Sequence, residues 1–258
     1  MAVIDGLPGV EFTVRINGSE EACTEYDDPD PPRSKVSSGS ATHSVFKVIE
    51  SQDDATFAIH LVVQNRKRWI KKTKGLAVIV YIDGHLVASK AYRHMHCDGK
   101  TLQCHFDGIE TESANPGMTT IKNFCFSPIK TVEDRPDRFV EDKKTAEHLG
   151  IIEITLSRVK VHGASQPRKW AHRSQTELAE KALKGKNLSH GTTFSGEREI
   201  KKSECVSATN LDGNKRIARF FFRYKSKAAL QIDGLIPREP SPLPTPPPDG
   251  RWFVHFRD

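Results

Sequence analysis

Residues 215–248 read KRIARFFFRYKSKAALQIDGLIPREPSPLPTPPP, and the first eleven of them decide the architecture. From Ala218 onward the side chains alternate. Ala218, Phe220, Phe222 and Tyr224 share one face of a strand, and Arg219, Phe221 and Arg223 share the other. A face with three aromatic rings requires a second layer to cover it, which makes this segment a central core strand. Ser226 is placed to cap a short helix through Ala228, Ala229, Leu230 and Ile232, and Gly234 stops it. Pro237 then forbids helix, and the chain leaves as a proline-rich ribbon.

Working outward, the same period-two pattern recurs upstream. Val10, Phe12, Val14 and Ile16 alternate with Glu11, Thr13 and Arg15. Further strands are expected over 43–50, 55–63, 76–82, 121–126 and 151–161. Asp83-Gly84, between LAVIVYI and HLVASKAY, is a strong hairpin signal. Asp107-Gly108 and Asp212-Gly213 suggest two more tight turns. Residues 17–42 form a long polar loop broken by Pro29, Pro31 and Pro32. Residues 130–148 tolerate helix and bridge two β-rich halves. The one well-specified helix is expected after Ser174, which with Glu177 makes a capping box, and it ends at Gly185. These elements predict an all-β, antiparallel β-sandwich or jelly-roll-like fold. We expect one domain over 1–240 and a proline-rich tail with an apolar end over 241–258.

RFFFRYKSKAALQIDGLIPREPSP resembles the terminal hallmark of an uncharacterised family of fungal proteins: an aromatic strand, a Y-x-S-x-x-x-L turn and an I-P-R-x-P-S-P exit. GVEFTVRINGSE, VYIDGHL, HLGIIEITLSRV and EKALKGKNLSHGTTF fit the same pattern, so the resemblance spans roughly Leu7 to Leu243. It implies domain boundaries and no activity.

Composition narrows the class. Of 258 residues, 36% are hydrophobic and 28% charged, and no apolar run approaches the ~20 residues that span a bilayer. The start, MAVIDGLPGVEF, lacks the layout of a secretory signal. Five cysteines, an odd and scattered set, read as free thiols in a reducing compartment, cytoplasmic or nuclear. The net charge of +6 permits an anionic partner without requiring one.

Two segments interleave cations with tryptophan. The first carries Arg66, Lys67, Arg68, Trp69, Lys71, Lys72 and Lys74, and the second Arg168, Lys169, Trp170, His172 and Arg173. Cations neutralise phosphates while an indole stacks on a base, so single-stranded nucleic acid is a sensible partner, as is an import receptor for the first. On one face the two segments would make a groove, which Arg219 and Arg223 could line if the helix of 175–184 does not cover them. The tail offers Pro237, Arg238, Pro240, Pro242, Trp252 and Phe253 to an aromatic groove on a protein partner.

His94, His96, Cys97, Cys104 and His105 crowd together, yet H-x-H-C-x₆-C-H lacks the paired spacing of a zinc site, and no metal or other cofactor is expected. Ser189-His190 invites a hydrolase reading, as do His94 and His96. No G-x-S-x-G elbow, phosphate-binding loop or dinucleotide fingerprint accompanies them. The leading expectation is a non-enzymatic, intracellular protein that binds macromolecules. Nucleic-acid binding and hydrolase-like catalysis are the alternatives.

Overall fold

A computed structural model describes residues 2–32, 36–64, 74–93, 101–134, 136–166 and 176–238. The chain begins with β1 (Ala2–Val3), β2 (Val10–Ile16), β3 (Glu25–Asp27) and β4 (Ser40–Glu50). Next come β5 (Thr56–Gln64), β6 (Gly75–Ile82), β7 (His85–Arg93), β8 (Thr101–Phe106) and β9 (Gly108–Glu112). β10 (Met118–Pro128) and β11 (Lys130–Val132) precede the helix α1 (Pro136–His148). β12 (Ile151–Ala164), β13 (Glu177–Ala179) and the single turn α2 (Glu180–Leu183) follow. β14 (His190–Lys201), β15 (Val206–Asn210), β16 (Lys215–Lys225) and α3 (Lys227–Ile232) complete the order.

Two sheets face each other. The first runs β1-β2-β5-β10-β14, with β8 against β5 and β9 against β10; the second runs β3-β4-β16-β12-β6-β7, with β15 against β12. This is the all-β, sandwich-like arrangement the alternation predicts. Within these two sheets one ladder departs from the antiparallel expectation: β4 and β16 pair in parallel, Val45 opposite Phe220 and Ile49 opposite Tyr224.

The aromatic strand lies between the layers. Phe220, Phe222 and Tyr224 are buried together with Phe12, Phe57, Phe124 and Phe126 of the facing sheet. The Phe12 and Phe220 rings are 4.7 Å apart, Phe57 stacks on Phe126 at 4.0 Å, and Phe126 meets Tyr224 at 4.9 Å. Burying each ring contributes about 1.5–3 kcal/mol, so this seam is the main attraction between the sheets.

Of the three Asp-Gly pairs expected to turn the chain, only Asp83-Gly84 closes a hairpin. Asp83 and Gly84 both have positive φ, +51° and +83°, as a two-residue turn between β6 and β7 requires. Asp107-Gly108 instead carries the chain from the edge of β5 to the edge of β10, which splay apart. A Cβ at Gly108 would stand 2.2 Å from the Lys122 carbonyl oxygen, so only glycine allows that crossing. Asp212-Gly213 interrupts two strands, β15 and β16, that follow one another along the same edge of β12.

The capping-box helix is also corrected. Ser174 lies outside the described residues, and Glu177, Leu178 and Ala179 are strand, paired in parallel with β11. Leu178 and Ala179 are buried by that pairing, which outweighs the local helix signal and leaves one helical turn. The expected turn at the end of β16 does form: the Ala229 N–H donates to Ser226 Oγ at 3.2 Å. No helix among the described residues is long and apolar enough to cross a membrane.

Candidate functional site

Across the sheets Phe220 meets Phe12, and Tyr224 meets Phe57 and Phe126, so the strands share two ends, and these differ in chemistry. At one end stand the start of β5, the β6–β7 hairpin, the start of β14 and the end of β16. His190, 2% exposed, is held there by three side chains. Its Nε2 lies 2.8 Å from Asp53 Oδ1, and its Nδ1 lies 3.0 Å from Ser51 Oγ and 3.1 Å from Ser189 Oγ. A carboxylate only accepts, so Nε2 carries a hydrogen toward Asp53, and Nδ1 is left facing the two hydroxyls. Ser189 Oγ also accepts from the Ser226 N–H at 2.7 Å.

The order hydroxyl–imidazole–carboxylate matches a catalytic relay, and the structure does bring adjacent Ser189 and His190 within hydrogen-bond reach. Ser51, however, is only 3% exposed, and the imidazole is buried with it. What this arrangement does is tie the loop after β4 to the start of β14. The partners Ser51 and Asp53 lie nearly 140 residues away in sequence, and no local motif points to them.

Beside it lies a second network that the sequence reading missed. Asp83 Oδ1 accepts from the Tyr224 hydroxyl at 2.5 Å and from the Gly150 N–H at 2.8 Å, while Oδ2 accepts from the Thr192 N–H at 2.6 Å. Tyr224 Oη and Thr192 Oγ1 are 2.9 Å apart. Burial pushes the Asp83 carboxyl up to about 6, against the pull of those hydrogen bonds. Burial likewise drives the Tyr224 hydroxyl well above its ordinary range, helped by the neighbouring Asp83 charge. One carboxylate thus pins the hairpin, the start of β12, β14 and β16 together.

The opposite end gathers the cations. Gln64 ends β5 opposite Thr101, and Arg93 ends β7 opposite Gly75. Val159 also pairs with Gly75, so β12 runs past this end to Ala164. The Gln64 N–H donates to Gly9 O, and Gly6 of the same loop lies against the His43 ring of the other sheet, which fixes both sheet ends on one side. Arg158 bonds Asp212 through two nitrogens at 2.6 and 2.8 Å. Those bonds, with Lys74 and Lys215 adding their charge, hold the Asp212 carboxyl below its ordinary value.

Of the sequence-predicted contact residues, Lys74 is at this end. Arg66, Lys67, Arg68, Trp69, Lys71 and Lys72 lie outside the described residues, as do Arg168, Lys169, Trp170 and Arg173. Their described flanks are informative: Gln64 and Lys74 both stand at the basic end, and Gln166 follows β12 as it leaves there. Thr176, on the far side of the second segment, is at the polar end, where its carbonyl accepts from the Lys130 N–H. In the tail, the Pro237 carbonyl accepts from Gln231 Nε2 at 3.1 Å, and Arg238 Nε reaches the Gln231 carbonyl at 3.5 Å. Pro240, Pro242, Trp252 and Phe253 lie outside the described residues.

Arg219 and Arg223 do not line an open groove, and the cover is not the predicted helix. Arg219 Nη2 donates to the carbonyls of Ser37, Ser38 and Gly39 at 2.8–3.0 Å and pairs with buried Glu153 at 3.4 Å. Arg223 donates to the Asp30 carbonyl at 2.5 Å and pairs with Asp28 at 3.4 Å. The described parts of the proline-broken loop therefore strap the outer face of the second sheet.

The histidine–cysteine cluster divides. His94, His96 and Cys97 are outside the described residues. On β8, Cys104 packs against the core while His105 is exposed, opposite His60. Among the described residues no group of three or more His, Cys, Asp or Glu is arranged to hold a metal ion. Cys23, Cys104, Cys125 and Cys205 are free thiols.

The fold and its ends define a two-sheet β protein with a braced polar end and a cationic end. Residues 9–239 match the family described as Domain of unknown function (DUF7918), and the chain belongs to that family. No curated protein and no solved structure matches the chain.

Proposed function

We propose that this chain is a non-enzymatic, intracellular protein that binds another macromolecule, with the cationic end as its contact surface. The observation that carries this reading is the common origin of the two basic-aromatic segments: Gln64 and Lys74 flank one, Gln166 precedes the other, and all three stand at one end of the sandwich. Lys215 adds to the positive charge there. The imidazole at the other end is enclosed by its own partners, which favours a brace over a hydrolase relay. One domain over 1–240, with a protein-binding tail over 241–258, accords with this division of labour.

The test is affinity capture with three baits: the whole chain, the chain lacking 237–258, and the whole chain with Arg66, Lys67, Arg68, Lys71 and Lys72 changed to alanine. Captured proteins are identified by mass spectrometry. A partner missing from one altered bait and kept by the other places the contact on that surface. An identical set from all three baits overturns the proposal.

Nucleic acid is the second reading, favoured by the tryptophan within each cationic segment. Stacking on an indole suits unpaired bases, and phosphate contacts bring a steep salt dependence that a protein partner does not share.

A further inference from the structure

Beside Ser157 on the second sheet, near the cationic end, one buried cation has no carboxylate partner among the described residues. Arg216 is 8% exposed. Its Nη1 lies 3.5 Å from Ser157 Oγ, and its Nε has no hydrogen-bond partner. Thr155, two residues before Ser157 on the same face of β12 and opposite Arg219, is 1% exposed and has a hydroxyl that is also without a partner. Arg219 is near enough for its charge to be felt, and the one buried carboxylate nearby, Glu153, is already shared between Arg219, Ser37 and the Val36 N–H. Among the described residues the cluster therefore holds two guanidinium groups against one carboxylate.

A buried cation without a counter-charge is costly, by several kcal/mol in typical cases, and a fold that keeps one has a reason to supply an anion. A neutral filler such as water would satisfy the hydroxyl but leave the charge. An oxyanion satisfies both: its oxygens accept from Nε–H of Arg216 and from the hydroxyls of Thr155 and Ser157. Guanidinium geometry suits a phosphoryl group in particular.

We propose that Arg216, Ser157 and Thr155 form a binding site for a phosphoryl oxyanion. Its source is either free inorganic phosphate or a phosphate of a polymer seated on the neighbouring cationic end, and the site stands whether or not that end binds a macromolecule.

Thermal unfolding of the whole chain, followed against inorganic phosphate with chloride matching the ionic strength, reads the site directly. At ten times the half-saturating concentration the midpoint should rise by about 3 °C, and the rise should saturate. Arg216→Met should abolish it. Thr155→Val, which removes only an unpartnered hydroxyl, should fold normally and raise the half-saturating concentration several-fold. A parallel titration with a short single-stranded oligonucleotide separates the sources. Oligonucleotide binding that weakens in both variants, without a response to phosphate alone, assigns the phosphate to a polymer. The inference is overturned if both variants match the parent in both titrations, or if the parent responds to neither ligand. The alanine changes at 66–72 should leave the phosphate response intact, so failure of the cationic end as a contact surface is distinguishable from failure here.

Discussion

Two Asp-Gly corners stand at opposite ends of this sandwich, and their aspartates behave oppositely. Asp83 is surrounded by uncharged donors, Tyr224, Gly150 and Thr192, and burial lifts its carboxyl to about 6. Asp212 meets Arg158, with Lys74 and Lys215 nearby, and its carboxyl is held below the ordinary value. The dipeptide is the same, so the difference comes from what the fold places around it. At the polar end, side chains are committed to each other across strands far apart in sequence. At the cationic end, the described groups Arg158, Lys74 and Lys215 gather around Asp212. The first end fits the work of holding the sheets in register, and the second fits contact with a partner.

That division predicts that binding and stability separate by end. The largest effect belongs to the cationic end. If the partner is single-stranded nucleic acid, changing Arg66, Lys67, Arg68, Lys71 and Lys72 to alanine should weaken binding about a thousandfold at low salt, or about 4 kcal/mol. The slope of log affinity against log salt should flatten, by about 0.7 for each phosphate that is no longer neutralised. Fluorescence anisotropy with a labelled oligonucleotide at two salt concentrations reads both quantities. The urea midpoint should not move. A variant that keeps its affinity, or loses it only by unfolding, breaks the comparison.

The next effect is a pH dependence confined to the polar end. A carboxyl near 6 in the folded chain and near its ordinary value in the unfolded one binds more protons when folded between about pH 4 and 6. Its favourable contribution is therefore complete below about pH 4, falls as pH rises through 6, and is level above that. The loss is no more than about 3 kcal/mol. Asp83→Asn cannot titrate, and its amide nitrogen would confront the Thr192 N–H, so the variant should be weaker than the parent while this site adds no pH dependence of its own. What matters is the difference in urea-derived stability between parent and variant, which should narrow as pH rises from 4 to 7. A difference that stays constant would mean that Asp83 has an ordinary proton affinity. Asp212 acts with the opposite sign, losing its contribution as pH falls, and the subtraction removes it.

What was legible in the sequence follows the reach of each signal. Alternation in RFFFRY identifies a core strand because strand geometry alone assigns its faces. Ser226 caps its helix through a bond three residues away, which is equally local. Asp-Gly signals a tight change of direction, which forms at Asp83-Gly84 and at Asp212-Gly213, but whether the flanking strands then pair depends on a third strand, so only the first closes a hairpin. The helix after Ser174 yielded at Glu177–Ala179 to pairing with β11, nearly fifty residues upstream. Cys104 and His105 are neighbours in sequence and face opposite ways in a strand, which dissolves part of the apparent metal cluster. One signal was available and went unread. Glu153 interrupts an apolar IIEITL and Arg219 an apolar ARFFF, and charges within strands apolar on both faces require each other. Their meeting beneath residues 36–39 follows from that requirement.

The smallest of the predicted effects is also the most local. Tyr224→Phe keeps the ring against Phe57 and Phe126 and removes only the hydroxyl. That oxygen donates to Asp83 and contacts Thr192 Oγ1, so the change leaves the carboxylate with its two backbone donors and Thr192 short of a partner. Removing one member of a buried, charge-assisted pair costs about 2 kcal/mol, measurable by urea unfolding at pH 7. The cost should shrink at pH 4, where protonated Asp83 needs the hydroxyl less. Oligonucleotide affinity and the phosphate response should be unchanged, because no described contact joins this network to Arg216 or to the cationic end. A Tyr224→Phe chain as stable as the parent would mean that the aromatic seam alone holds this end, and that the Asp83 network follows the fold instead of fixing it.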